Sequence, residues 1–436
     1  MNDIPTIVEK ITELVKTRLN DSEKSVTMTE IERTTRELLL ELGRQVVEKT
    51  TQAMAQKYPE ETSDCECGQK ATYIRQRKTQ LRTLFGKLTV KRAYYLCDDC
   101  HTGHYPLDQQ LGLRPNALSA ELARLVGLTG VHIPYGKGSE LLQELAQISV
   151  SQPCLAKTTG QIGEVVQERE EKLQQKALES NYLAKRQRES RKPLRLYGAI
   201  DATKVQVRQV GEHLWRDLKL GAWFEAGGKP PKTPDGNWTI AAENIHYYAD
   251  IAAAADFSSL VWATAVEQKA DLAAELIILG DGAEWIWNLV QENSPHTIQI
   301  LDWFHATEHL ADLAKVVFAQ EAKQAAWLST AKQLMWEGDI EALITACQAL
   351  QAVSSADEIR TTVNYFVEHK ERMRYAHFHQ QGYQIGSGTI ESAAKQIGMM
   401  RMKVPGASWN TDMAVKVAKA RAAYLSDRWR SLPLAA

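Results

Sequence analysis

The sequence has little cysteine, little net charge and no long apolar run, and each scarcity closes a class of answers. Six cysteines in 436 residues are too few for a disulfide scaffold, and four of them fall in two close pairs, which favours a metal in a reducing compartment. No apolar run approaches the roughly 20 residues of a membrane-crossing helix. The opening MNDIPTIVEKITELVK mixes charge throughout, unlike a signal peptide. The expected location is therefore cytoplasmic, with no membrane partner. A formal net charge of −2 argues against a uniformly basic nucleic-acid binder, because phosphate contacts need local positive charge. At 44% hydrophobic and 24% charged residues, a chain of this length buries more than one core and divides into domains.

Positive charge is present, but gathered into blocks. From Gln69 to Leu96 stand Lys70, Arg75, Arg77, Lys78, Arg82, Lys87, Lys91 and Arg92, with no acidic residue among them. A second block, KRQRESRKPLR, runs from Lys185 and Arg186 to Arg195. A third follows Glu391 with Lys395, Arg401, Lys403, Lys416, Lys419 and Arg421 against Asp412. One such run is most simply a solvated face; three on one chain shift the balance toward a polyanion partner.

Periodicity divides the chain further. Residues 1–60 are helical in pattern, with Leu38, Leu39, Leu42, Val46 and Val47 at helical spacing. Residues 61–108 alternate around FGK as a β-hairpin does, with a cysteine pair at each end. Residues 109–190 return to helices with short polar breaks, consistent with a helix-turn-helix-like DNA-binding domain or a plain helical linker. From 191 to 305, LRLYGAIDA, HLWRDLKLGAWFEA, NIHYYADI, ELIILGDGA and HTIQILDWFH have strand length and strand composition, which predicts a mixed α/β sheet. Residues 306–383 carry only helical patterns and read as an all-α insertion; residues 384–436 are helical again.

Two constellations can carry chemistry. Cys65, Cys67, Cys97 and Cys100 form C-x-C and C-x2-C separated by 29 residues, so four thiolates can close a tetrahedral structural Zn2+ site at the base of the hairpin. His101 and His104 follow at once as possible substitutes. Cys154 and Cys347 are isolated and read as ordinary buried residues. Asp201 closes the apolar strand LYGAI and Asp281 closes LIILG, so both emerge near strand ends. Carboxylates at the ends of neighbouring strands can share Mg2+ or Mn2+, and two ions about 4 Å apart suit phosphodiester chemistry. Glu391 is the candidate third ligand, on a helix entered through GSG, where Ser387 or Thr389 can cap. Any one Asp at a strand end is more often a turn residue or a cap; the set carries the argument. Trp285, Trp287 and Trp303 read as core.

YGAIDATKV, LIILGDGAEWIWNLV, ILDWFHATEHL and GSGTIESAAKQIGMMRMK, in this order, resemble the catalytic segments of bacterial insertion-sequence transposases with an RNase H-like fold and a DDE triad, nearest the Kra group and more distantly similar to Mutator-like transposases. LFGKLTVKRAYYLCDDCHTGHYPLD resembles that group's zinc-binding hairpin. The likeness runs from about residue 65 to 425. It implies Asp201, Asp281 and Glu391 as metal-binding catalytic residues, two metal ions per site, and a helical insertion within the 110 positions between Asp281 and Glu391. Asp302 and His305 match the D-x2-H element of Mutator-like enzymes and are auxiliary candidates, with a satisfied buried histidine as the plainer alternative. Lys395, one turn after Glu391, is a further auxiliary candidate. Arg75, Arg77, Lys78, Lys87, Lys91, Arg92, Lys185, Arg186, Arg401 and Lys403 are the expected DNA contacts. Transposition pairs two element ends, so the expectation is a homodimer or larger. Two rivals fit parts of the pattern: a transposase-derived DNA-binding protein without activity, and an RNase H-like nuclease.

Overall fold

The computed structural model describes residues 4–20, 26–58, 61–113, 118–189, 192–209, 212–229, 231–236, 241–294, 296–352, 354 and 357–434. Ser190 and Arg191 of the second basic block lie outside the described residues. The chain forms two units, Met1–Gly130 with Tyr135–Thr158 and Pro433–Ala436, and Val131–Pro134 with Thr159–Leu432.

In the first unit, helices Ile4–Asn20 and Met28–Ala55 precede a small sheet. A capping box starts the second helix: Thr27 accepts from the Glu30 backbone, and the Glu30 carboxylate returns to the Thr27 backbone. The sheet contains β1 (Thr62–Asp64), β2 (Lys70–Thr83), β3 (Gly86–Leu96) and β4 (Gly103–His104), all antiparallel and in chain order. The β2–β3 turn is the pair Leu84–Phe85, so the expected hairpin forms around FGK. Leu81, Leu88 and Val90 alternate onto its inner face with Ala55 and Leu107. Helices Ala120–His132 and Tyr135–Ala146 follow, then Gln152–Ala177, of which the residues from Thr159 on belong to the second unit. Leu122, Val126, Leu142 and Leu155 make a core for this stretch.

The second unit is built on β5 (Arg195–Gln209), β6 (Glu212–Gly227), β7 (Ala241–Asp250), β8 (Glu275–Gly280) and β9 (Ile298–Leu301). The spatial order is β7-β6-β5-β8-β9, with β10 (Trp409–Asn410) also on β5. β7, β6 and β5 are antiparallel; β5, β8 and β9 are parallel. All five expected strands form, and the parallel pair reads as continuous apolar sequence because it is buried on both faces. Helix Ala254–Glu267 connects β7 to β8, and Glu284–Asn293 connects β8 to β9.

After β9 comes the helical stretch: Trp303–Val317, Glu321–Glu337, Ile340–Ala349, Asp357–His369 and Tyr375–Gln380. It packs through aromatic residues, with Trp303 edge-on to Trp336 and Tyr375 at ring separations of 5.2 and 5.0 Å. The detour closes where it opened. The Trp303 N–H donates to the Ile385 carbonyl at 2.9 Å, and Tyr375 Oη donates to the Leu301 carbonyl at 2.9 Å. Residues 381–387 then run back over the sheet: Arg195 of β5 donates to the Gln381 and Gly382 carbonyls, and the Gln384 N–H donates to Tyr197 Oη.

Candidate active site and metal centre

Parallel pairing aligns Ala199 with Leu279. Asp201 and Asp281 each lie two residues further along, so neighbouring strands bring both carboxylates to equivalent positions; Asp281 follows the end of β8, whereas Asp201 lies inside the longer β5 and does not close its strand as expected. Asp201 Oδ1 accepts from the Ala202 N–H at 2.6 Å, and Asp281 Oδ1 accepts from the Ala283 N–H at 2.9 Å. Burial, as the largest influence, pushes the Asp201 carboxyl up to about 6; the Ala202 N–H opposes this, the Asp281 and Glu391 charges add to it, and His305 draws it down. Three carboxylates separated by 80 and 110 positions in sequence thus lie within electrostatic reach.

Glu391 stands on helix Gly388–Ala393, which packs against β5 and β6. The next turn, Ala394–Met399, is π-helical, a wide turn that recurs at functional sites. It approaches β5 closely at Gly398, where a Cβ would sit 2.8 Å from the Thr203 methyl. Arg421 donates to the Gln396 carbonyl inside this turn. Glu391 is exposed and faces Lys395 at 3.8 Å. Among the described residues, no group of three carboxylates is drawn close enough to grip a single ion; Asp201, Asp281 and Glu391 converge without forming a closed cluster.

Asp302 has a different place from the one its motif suggests. It is 1% exposed and caps Trp303–Val317: Oδ1 accepts from the His305 N–H, and Oδ2 accepts from the Ser387 N–H. Burial pushes its carboxyl up, opposed by these donors. Ser387 stands at the N-cap of the Glu391 helix with no side-chain capping bond. The expected Ser or Thr cap is thus replaced by a grip on the Ser387 backbone from Asp302. The glycine of that loop is likewise a packing requirement: at Gly386 a Cβ would stand 2.5 Å from the Phe304 ring. His305 is partly exposed, 3.8 Å from Glu308 and edge-on to His309.

Tyr365 carries no sequence signal and is visible only in space. From helix Asp357–His369 it donates to the Asp281 carbonyl at 2.8 Å, and its ring lies 4.2 Å from that of His309. The helical stretch therefore props the second aspartate directly. Trp287 and Trp303 are core, and Trp285 is half-buried with Lys219 over its ring at 5.3 Å.

In the first unit, the Sγ atoms of Cys65, Cys67, Cys97 and Cys100 all lie within 4.8 Å of one another, with Cys65–Cys100 at 3.6 Å and Cys67–Cys97 at 3.7 Å. Tetrahedral zinc with Zn–S of about 2.3 Å has S···S edges of about 3.8 Å, whereas a disulfide requires about 2 Å. The four thiols suit a metal such as zinc. His101 and His104 are outside the cluster; His104 stacks on Tyr95.

The expected DNA-contacting cations separate into two groups. Arg75, Lys78, Lys87, Lys91, Lys185 and Lys403 are exposed. Arg92 and Arg401 are not, which corrects their assignment: Arg92 pairs with Asp108 at 2.6 Å beneath Tyr105, and Arg401 lies over Trp409 at 4.7 Å, both buried. Arg186 is mostly covered and pairs with Asp271 at 3.2 Å. Arg77 lies over Tyr94 at 3.8 Å. Lys419 and Arg421 of the third block are interior too, Lys419 held between Glu170 at 2.6 Å and Asp250 at 2.7 Å.

Fold and site together define a multidomain α/β protein with a four-cysteine cluster suited to a metal such as zinc and with Asp201 and Asp281 at equivalent positions on a mixed sheet. Residues 22–431 match the model of the family described as "Uncharacterised protein family (UPF0236)", and the protein belongs to that family. No curated protein matches the chain. Among the described residues, no helix is long and apolar enough to cross a membrane.

Proposed function

We propose that the protein is a DDE transposase of the Kra type, with an RNase H-like catalytic unit, that cleaves and joins DNA at the ends of an insertion sequence. The observation that carries this reading is the convergence of Asp201 and Asp281, aligned on neighbouring parallel strands, with Glu391 close enough for its charge to raise the Asp201 carboxyl. A mixed sheet with parallel β5, β8 and β9 and a helical detour ahead of the third acid agrees with it. Carboxylate charge crowded into a half-buried place fits hard divalent cations.

Asp201 and Asp281 each hold a backbone N–H with one oxygen and offer the other to a ligand. Mg2+ or Mn2+ bound there would supply the Lewis acidity that activates the attacking oxygen and eases departure of the leaving one. Asp302 fixes the loop that delivers Glu391. Lys395 beside Glu391, and Lys403, which donates to Thr203 Oγ1 at 2.8 Å, are placed to neutralise phosphates of the cleaved strand. On the hairpin, Lys78 and Lys91 are directly opposed. Like charges so placed repel, and a phosphate backbone relieves that repulsion. The four cysteines would hold one structural Zn2+, keeping this ribbon folded.

The test is strand transfer in Mg2+ with DNA fragments taken from both sides of the coding sequence and a supercoiled plasmid as target. The native chain is expected to give joined products and Asp201→Asn none. Equal product from both, or none from either, removes the transposase reading. An RNA–DNA hybrid run in parallel detects the nuclease rival.

A further inference from the structure

The N-terminal helices hold a concentration of exposed apolar side chains that their own unit does not cover. Ten of the 23 large hydrophobic residues exposed among the described residues fall between positions 4 and 46: Ile4, Ile7, Val8, Leu14, Val26, Met28, Ile31, Leu39, Leu42 and Val46. They are ordered by the helical period. On Ile4–Asn20, Ile4, Ile7, Val8, Ile11, Leu14 and Val15 recur at three- and four-residue steps, yet only Val15 is buried. On Met28–Ala55, Leu39, Leu42 and Val46 continue a stripe begun by Met28 and Ile31, at the spacing of a coiled-coil seam.

The opposite face of the long helix is already engaged. Glu48 accepts from the Thr89 N–H, and Gln52 bridges the Lys91 backbone. The stripe therefore points away from the hairpin. At 28 residues the helix is about 42 Å long, enough for several turns of a continuous seam.

We infer that the helices Ile4–Asn20 and Met28–Ala55 pair with those of a second copy of the chain to form a four-helix bundle. Two helices side by side leave half their apolar stripe in water, and a symmetric pair of such hairpins closes a core. The area agrees. The ten residues are 39–70% exposed, and a large aliphatic side chain carries on the order of 100 Å² of apolar surface, so about 500 Å² per copy is available. A standard interface hides about 800 Å² per partner, about 65% of it apolar in homodimers, which is about the same apolar area. The inference rests on this face alone and not on the catalytic reading.

The experiment is the mass of the full chain in solution, by light scattering after gel filtration over about 1–50 μM, without DNA. The expected result is twice the 48.9 kDa of one chain, falling to a single chain in Leu39→Lys/Leu42→Lys/Val46→Lys with unchanged far-ultraviolet dichroism. Leu141→Lys/Leu145→Lys, which changes exposed apolar residues elsewhere in the same unit, should keep the double mass. A second measurement covers misfolding of the triple variant: Leu39→Cys, near the middle of the stripe, should form a disulfide-linked dimer under mild oxidation that the native chain does not form. A native chain that stays single at 50 μM overturns the inference. So does a folded triple variant of native mass, or a Leu39→Cys chain that does not cross-link.

Discussion

Replacing Asp201 by Asn should stabilise the second unit while abolishing strand transfer. The folded structure raises the Asp201 carboxyl from its ordinary 3.8 to about 6, through burial first and the charges of Asp281 and Glu391 after it. At 1.36 kcal/mol for each pKa unit, ionised Asp201 costs the fold about 3 kcal/mol. A raised folded pKa means a contribution that is fully present below about pH 3.8, where the carboxyl is protonated in both states, and lost as pH rises through about 6. Asn keeps an oxygen for the Ala202 N–H and carries no charge. In chelator, its unfolding transition at pH 8 should exceed that of the native chain by about 2–3 kcal/mol, and the gap should shrink towards pH 4. Adding Mg2+ should raise the native transition and leave the variant almost unmoved, because ligand binding to the folded state alone adds stability. The assay is urea unfolding followed by tryptophan emission at pH 4.5, 6 and 8. A variant equal to or weaker than the native chain at pH 8, or a gap that does not depend on pH, refutes the claim that burial and neighbouring carboxylate charge raise Asp201.

Three further outcomes follow from the same geometry. Asp302→Ala leaves the buried His305 and Ser387 N–H groups without their acceptor and removes a helix cap; each such loss costs about 1–2 kcal/mol, so thermal unfolding should fall by several degrees. Asp302→Asn, which keeps one acceptor, should fall about half as far. Metal analysis should find one zinc per chain, lost in Cys97→Ser, with limited proteolysis then opening residues 61–104 while the transition of the second unit stays put. Gly386→Ala should cost about 1–3 kcal/mol through the 2.5 Å encounter with Phe304, and a double-mutant cycle with Phe304→Leu should recover much of it; additive losses would show that the ring is not the obstacle.

The strands, the hairpin and the cysteine cluster were legible because each is written in local periods and spacings: alternation around FGK, apolar runs ending on Asp201 and Asp281, two thiol pairs. The bases were misread where their partners are distant. Lys419 is neutralised by Glu170 and Asp250, which stand 249 and 169 positions away, and no window of neighbouring residues shows such a pairing. Arg92 looked like part of a basic ribbon because Asp108 comes only after the strand has ended. Asp302 matched a motif for its identity, whereas its work depends on the Ser387 N–H, 85 positions on. The return of Glu391 was legible only as an expectation, since the contacts that bring it back run through Tyr375, Ile385 and Tyr197.

The helical detour begins and ends on adjoining atoms, Trp303 N–H on the Ile385 carbonyl and Asp302 on Ser387. Closing a long loop costs only slowly more as the loop grows, so a cassette anchored at one doorway can change length without shifting the acid beyond it. Its content is less free than its length, because Tyr365 reaches out of it to the Asp281 carbonyl. Exchanged for an unrelated bundle between Phe304 and Gln384, the chain would keep the loop that leads on to Glu391 and lose the contact of Tyr365 with Asp281.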